Sequence, residues 1–167
     1  MDGAGARSTE GKTCVITGAS SGIGKVSTEQ LASMGARVVT VRRSQRREER
    51  TKAEVKARSG SKSVELMLAD LTSLDSVRGF ARMYEESHGS LHVLLNNAGL
   101  ARPRHSLTVD GFETTFQVNY LSPFLLTNLL LPLLKRSAPS RIVNVSSVAY
   151  YGATSTLVTF SSREATE

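Results

Sequence analysis

Three glycines near the N-terminus have the spacing of a phosphate-binding turn. Gly18, Gly22 and Gly24 lie between an apolar, β-branched run and a segment with helical periodicity. Glycine has no Cβ to block an approaching phosphate, and a helix N-terminus offers unpaired N–H groups and the positive end of the helix dipole. A tight turn without a ligand is the alternative interpretation, but the strand–turn–helix setting favours phosphate binding. The candidate residues of this turn are Gly18, Ser20, Ser21, Gly22, Ile23 and Gly24.

Two arginines follow the second apolar run of the chain. Residues 36–47 contain no acidic side chain, and Arg42 and Arg43 stand where a dinucleotide-binding protein commonly has an acid that accepts from the ribose 2′-hydroxyl. A guanidinium pairs with phosphate instead, so these residues predict NADP(H) rather than NAD(H), which remains the alternative cofactor. Lys25 is a candidate for a second charge. The opposing interpretation is that one or both arginines are only solvent-exposed charges beside the helix that follows.

The elements that must position these residues alternate between strands and helices. Short β-branched runs predict strands, and the intervening periodic segments predict helices. This pattern indicates an α/β fold, a Rossmann-like doubly wound parallel sheet of strand order 3-2-1-4-5, with ligands bound at the carboxyl ends of the strands. The predicted strands are residues 13–17, 37–41, 63–68, 92–96 and 141–146, and the predicted helices are residues 22–34, 45–59, 74–86 and 109–136. Ser73 is a predicted N-cap, and Asp110 and Glu113 favour the start of the last helix.

Further motifs follow the glycine turn in a fixed order. They read Asp70-Leu71, then Asn96-Asn97-Ala98-Gly99, then Phe116-Gln117-Val118-Asn119, then Arg141 to Ser147 ending in Asn144-Val145-Ser146-Ser147. Together with the turn, they resemble the motifs of the short-chain dehydrogenase/reductase family, and their sequences are most similar to its retinol dehydrogenase-like branch. The resemblance implies an NADP-dependent alcohol/carbonyl oxidoreductase with a small-molecule substrate. It places Asp70 and Leu71 at the adenine ring, Asn97, Ala98 and Gly99 along the cofactor cleft, and Arg43 at the 2′-phosphate.

The resemblance also implies two catalytic residues. Asn119 would hold the water of a proton relay, and Ser147 would hydrogen-bond the substrate oxygen. The family completes this set with a Tyr-x-x-x-Lys motif, in which the lysine lowers the pKa of a tyrosine that is otherwise a poor base at neutral pH. No such motif occurs in the sequence: the last lysine is Lys135, and Tyr150 and Tyr151 are followed by none. We interpret both tyrosines as loop residues.

The residues after Tyr151 do not resemble the family. We therefore expect a chain truncated before the Tyr-x-x-x-Lys motif, without the last strands of the family fold and without oxidoreductase activity of its own. The expected organisation is a flexible segment at residues 1–11, an NAD(P)-binding Rossmann domain at residues 12–149 and a non-family tail at residues 150–167. The alternative function is a non-catalytic nucleotide-binding or regulatory module. It would pair as a homo- or hetero-oligomer through an exposed fourth helix at Phe124, Leu125 and Leu126.

Composition limits the remaining function classes. The 167 residues are 40% hydrophobic and 22% charged, which fits one globular domain, and no apolar stretch predicts a signal peptide or a transmembrane segment. A single cysteine, Cys14, predicts a reducing, cytoplasmic location and a buried, unreactive thiol. The net charge of +6 points to nucleic-acid binding as an alternative function. The basic segment at residues 42–58 argues against it, because it has no aromatic residue for base stacking. His88, His92 and His105 lack metal-ligand spacing and are interpreted as surface or loop residues.

Overall fold

A computed structural model of the chain describes residues 9–43 and 63–147. In these ranges the chain alternates strands and helices, and the last helix begins with a short α-turn that continues as a π-helix. The elements are β1 (Thr13–Thr17), α1 (Gly22–Ser33), β2 (Arg37–Arg42), β3 (Val64–Leu68), α2 (Leu74–Ser87), β4 (Val93–Asn96), α3 (Thr114–Phe116), the π-helix (Gln117–Leu121), α4 (Ser122–Arg136) and β5 (Arg141–Asn144). The helix predicted at residues 45–59 lies outside the described residues, as do Tyr150 and Tyr151.

The described strands form one parallel sheet. Its order is β3-β2-β1-β4-β5, so the predicted order is confirmed. The chain reverses its direction across the sheet between β3 and β4, and β1 therefore pairs with β2 on one side and with β4 on the other. In this register Val15 lies opposite both Val39 and Leu94. The carboxyl ends of β1, β2 and β4 consequently meet at one edge, where the glycine turn also begins.

Helices cover both faces of the central strands. Val15, Val39 and Leu94 pack with α2 and α4 on one face, whereas Cys14 and Ile16 pack with α1 on the other. The predicted burial of Cys14 is confirmed, and this burial raises the pKa of the thiol to about 11. Such a thiol is almost wholly protonated at neutral pH and is a poor nucleophile.

Helix starts follow local capping chemistry. The Ser73 side chain accepts from the Ser76 N–H at the start of α2, as predicted. The start predicted for the last helix, near residue 109, is wrong. Glu113 is the N-cap instead, its carboxylate accepting from the Thr115 and Phe116 N–H groups, and an antiparallel bridge between Leu107 and Glu113 precedes it.

The interpretation of all three histidines as surface or loop residues is wrong for His88. Its ring is buried, stacks on Tyr84 with ring centroids 4.4 Å apart, and lies 3.2 Å from Glu65 Oε2. Burial alone would raise the pKa of Glu65, but hydrogen bonds from Arg37 and His88 outweigh it, and the pKa is lowered. His88 therefore fixes the end of α2 against β3.

Helix α4 presents one apolar face to the core and another to the surface. Leu126, expected to be exposed, is buried with Leu130, Leu133 and Leu134, whereas Leu125 is half-buried. Phe124 is 61% exposed, as expected. None of the helices in the described ranges has the length and apolarity needed to cross a membrane.

Candidate functional site

A cleft of about 560 Å³ opens at the carboxyl edge of the sheet. It is bounded by the glycine turn, the ends of β2 and β3, and the segment after β4. Eight of the predicted cofactor-binding residues line it: Gly18, Ser20, Arg42, Arg43, Asp70, Leu71, Ala98 and Gly99. The other five do not: Ser21, Gly22 and Ile23 are exposed at the start of α1, and Gly24 and Asn97 pack behind the turn.

The glycine turn is closely packed against the segment after β4. Gly18 has a φ of +69°, and a Cβ there would lie 2.7 Å from Ala98 Cα. A Cβ on Gly24 would overlap the Asn97 amide nitrogen and the Gly18 carbonyl oxygen. That amide nitrogen donates to the carbonyl oxygens of Thr17 and Gly18, each at 3.1 Å. Asn97 thus sets the shape of the turn from behind, and no larger residue fits at either glycine.

Thr17 begins the predicted binding turn, but the sequence did not predict the role of its side chain. Its hydroxyl oxygen accepts from the Asn97 and Ala98 N–H groups, each at 3.0 Å. The hydroxyl therefore ties the end of β1 to the segment after β4, next to Gly18 and Ala98, which line the cleft. Its position directly before Gly18, at the end of a strand, was the available signal.

The N-terminus of α1 has neither a side-chain cap nor an acid in its first turn. Among the described helix starts, Ser73 and Glu113 cap theirs with side-chain oxygens, whereas Ser21 makes no such hydrogen bond and α1 has no acid in its first turn. Gly22 has a φ of +52°, and a Cβ there would meet nothing within 4 Å. The space over Gly22 is therefore open at a helix start whose first N–H groups have no partner within the helix.

Positive charge lies beside this turn. Arg42 ends β2, and its Nη2 donates to the Ala19 carbonyl oxygen at 3.4 Å, which holds the guanidinium at the turn. Arg43 is exposed and lines the same cleft. Two guanidinium groups at the end of β2 make this part of the cleft electropositive.

The loop after β3 forms the opposite wall. Asp70 Oδ1 accepts from the Thr72 N–H at 2.9 Å and from the Thr72 hydroxyl at 2.7 Å, so the carboxylate is fixed by its own loop. The Asp70 N–H donates to the Ser76 hydroxyl oxygen at 2.9 Å. The carboxylate is thereby presented at the cleft in a defined orientation.

The predicted catalytic residues lie away from the lining of this cleft. Asn119 is in the π-helix, a local deviation that often marks functional positions. Its side chain accepts from the Leu100 N–H at 2.9 Å and donates to the Leu100 carbonyl at 2.8 Å. Ser147 is exposed beyond β5. The strand that leads to it is tied to β4 by a hydrogen bond from the Asn96 amide to Asn144 Oδ1 at 2.8 Å.

The amino-acid sequence is similar to those of retinol dehydrogenases and related dehydrogenase/reductases. The chain is 46% identical to human retinol dehydrogenase 11 over 141 residues, which are 84% of this chain and 44% of that protein. It is 47% identical to bovine dehydrogenase/reductase SDR family member 13 over 146 residues, 87% of this chain and 38% of that protein. The chain thus spans less than half the length of these curated relatives.

A solved structure agrees with the fold. A metagenomic short-chain oxidoreductase, solved in complex with NADP, superposes with a TM-score of 0.74 at 32% identity, covering 85% of this chain and 64% of that one. The sequence profile described as short chain dehydrogenase matches residues 12–162. Because this profile covers most of the chain, the chain belongs to the short-chain dehydrogenase family.

Proposed function

We propose that the chain binds NADP(H) in the cleft at the carboxyl edge of the sheet, as part of an alcohol/carbonyl oxidoreductase of the retinol dehydrogenase-like kind. The observation that carries the proposal is the pair Arg42 and Arg43 at the end of β2, lining one cleft with Gly18 and Ser20. A guanidinium beside a phosphate makes strong, charge-assisted hydrogen bonds, and residues 36–47 offer no acid to accept from a ribose 2′-hydroxyl.

The cleft and the start of α1 beside it have distinct tasks. The N–H groups at the start of α1 bind the pyrophosphate, Arg43 binds the 2′-phosphate, and Asp70 accepts from the adenine amino group. A bound nicotinamide supplies or accepts a hydride. Asn119 and Ser147 serve the substrate side, where Asn119 holds a water for proton transfer and the Ser147 hydroxyl donates to the substrate oxygen.

For a protein of these 167 residues, we expect binding without efficient turnover. The sequence contains no Tyr-x-x-x-Lys motif, and positioned acid–base catalysis is worth roughly 10²–10⁴-fold in rate. Oxidation of NADPH with a small aldehyde or ketone should therefore not exceed a control without enzyme. Turnover clearly above that control would contradict this expectation.

Titration with NADPH and NADH, followed by nicotinamide fluorescence, tests cofactor choice. Loss of a hydrogen bond to a charged group costs about 1.5–3 kcal/mol, so Arg43→Ala should weaken NADPH binding by roughly 10- to 100-fold and leave NADH binding nearly unchanged. Arg82→Ala is the matched control, since it removes the same charge from the exposed side of α2. Equal effects of the two variants, or a wild-type preference for NADH, would contradict the proposal.

A second candidate function is that of a non-catalytic subunit paired with another family member. Its support is a stack of aromatic rings along the start of α4, with Phe116–Tyr120 and Tyr120–Phe124 centroids 5.4 and 6.3 Å apart. Tyr120 is 57% and Phe124 61% exposed, and exposed aromatic groups of this kind are common at interfaces.

Sedimentation of the protein would test this pairing. Phe124→Glu should shift a dimer to a monomer, whereas Leu107→Glu, which places the same charge at an equally exposed apolar position, should not. The second candidate would be contradicted if the wild-type protein is monomeric and does not bind a full-length member of the family.

A further inference from the structure

One carboxylate joins two segments that are distant in sequence. Asp110 Oδ2 accepts from the Leu74 N–H at 2.8 Å and from Gln117 Nε2 at 2.7 Å. Leu74 is the first residue of α2, and Gln117 is the first residue of the π-helix. Asp110 was expected to favour the start of the last helix by its charge, but its contacts give it a different role. It caps α2 across 36 residues of sequence and holds the π-helix to it.

The hydrogen bond between Asp110 and Leu74 lies beside one wall of the cleft. Residues 70–72, which line the cleft, directly precede α2, and the Ser73 N–H donates to the Asp70 carbonyl at 3.0 Å. A second tie lies close by, since the Ser122 hydroxyl at the start of α4 donates to the Leu71 carbonyl at 2.7 Å. The position of this loop is therefore set by bonds to the last helix as well as by its own turn.

The hydrogen bond between Asp110 and Gln117 lies near the other wall of the cleft. Gln117 is fully buried, and its amide oxygen accepts from the Thr108 hydroxyl while its nitrogen donates to Asp110. Two residues further on, Asn119 makes two hydrogen bonds to the backbone of Leu100, which lines the cleft. Gln117 is therefore connected to Leu100 through two residues of the π-helix and the Asn119 side chain.

We infer that Asp110 is a positioning residue that fixes the two walls of the dinucleotide cleft relative to each other. Its carboxylate does not line the cleft, but it bonds one residue beside each wall: Leu74, two residues after Thr72, and Gln117, directly before Val118. Charge-assisted hydrogen bonds such as these are the stronger kind, and their removal leaves the Gln117 amide buried with an unsatisfied donor. Loss of Asp110 therefore weakens NADP(H) binding from outside the site. The inference rests on the proposed function.

Substitution of Asp110 with two matched controls tests this role. Asp110→Ala should raise the Kd for NADPH about tenfold, the equivalent of one charge-assisted hydrogen bond. Glu113→Ala removes a capping carboxylate three residues away that bonds only Thr115 and Phe116 among the described residues. Asp75→Ala removes the same charge from the first turn of α2, where the carboxylate is exposed and contacts Arg78. Both controls should bind NADPH within about twofold of wild type, a factor worth well under 1 kcal/mol.

The thermal midpoint separates positioning from general destabilisation. Asp110→Ala and Glu113→Ala each remove a helix cap, so both should lower Tm similarly while only the first changes the Kd. Equal Kd values in all three variants, or equal rises in Asp110→Ala and Glu113→Ala, would overturn the inference. If Asp110→Ala does not fold, Asp110→Asn takes its place, since it keeps the volume and one acceptor oxygen. A weaker rise in Kd with Asn supports the inference, and a wild-type Kd overturns it.

Amide hydrogen exchange distinguishes failure of the inference from failure of the proposed function. If the unaltered chain does not bind NADPH, the proposed function is wrong, and the bridge is then judged by exchange alone. Faster exchange at Thr72 and Leu100 in Asp110→Ala, absent in Asp75→Ala, would support the positioning role, since these two amides are bonded at the two walls and neither bonds Asp110. Unchanged exchange at these amides would overturn it.

Discussion

Gly24 and Asn97 illustrate how single residues determine the shape of the cleft. A Cβ at Gly24 would overlap the Asn97 nitrogen that holds the Thr17 and Gly18 carbonyls. We expect Gly24→Ala to lower the free energy of unfolding by about 1–3 kcal/mol, because overpacking forces backbone shifts, and to weaken NADPH binding. Gly79→Ala is the control, since a Cβ on this α2 glycine meets nothing within 4 Å. It should stabilise the helix by about 0.5–1 kcal/mol, as measured by urea unfolding.

His92 provides a prediction on pH. Its Nδ1 accepts from the Thr13 N–H at 3.0 Å, and burial, followed by the Lys12 charge, lowers the pKa of the imidazole. Because the folded pKa lies below the unfolded value near 6.5, the unfolded chain binds more protons as the pH falls. The contribution of His92 is therefore complete above about pH 6.5 and is lost as the pH falls through the folded pKa.

Unfolding measured across this range isolates the contribution of His92. His92→Asn retains an acceptor for the Thr13 N–H but does not titrate, so the fall in unfolding free energy below about pH 6.5 should become smaller. A wild-type profile in His92→Asn would show that the Thr13 contact does not depend on the neutral imidazole.

At the scale of elements, the strands were predictable and the last helix was not. Apolar β-branched runs predict β1 to β5 within one or two residues at each end, because these strands are buried between helices or paired within the sheet. The last helix starts at the Glu113 cap, because the Asp110 carboxylate bonds the Leu74 N–H instead, a partner distant in sequence. The π-helix depends on an i→i+5 hydrogen bond from the Ser122 N–H to the Gln117 carbonyl, for which the sequence has no periodic signal.

The orientation of α4 gives an element-scale prediction. Leu126 is 1% exposed and Phe124, two residues earlier on the same helix, is 61% exposed. Leu126→Ala should lower the free energy of unfolding by about 2–5 kcal/mol, because it leaves a cavity between α4 and the sheet. Phe124→Ala should change it by no more than about 0.5 kcal/mol. A larger loss for Phe124→Ala in denaturant unfolding would mean that this face of α4 is covered in solution.

At the scale of the whole molecule, the sequence predicted the site residues whose positions follow from the path of the backbone. It did not predict those that act through hydrogen bonds between side chains and distant segments. The glycine turn, Arg42 and Arg43 lie at strand ends, so their positions follow from the strand order. Thr17 and Gln117 act through bonds between segments, as does His88, and a residue type at a given position does not reveal such bonds. Folding brings these groups together, and cofactor binding should therefore stabilise the entire chain.

Thermal unfolding with and without cofactor tests this linkage. A ligand that binds only the folded state stabilises it by about 2.7 kcal/mol at a concentration of 100 times Kd, which raises Tm by several degrees for a chain of this size. NADPH should raise Tm more than NADH at equal concentration, and Arg43→Ala should reduce the difference, because that side chain is proposed to bind the 2′-phosphate. Arg82→Ala should retain the full difference. A Tm that responds equally to both dinucleotides would remove the arginine pair from cofactor selection, even if the cleft binds dinucleotides through the glycine turn.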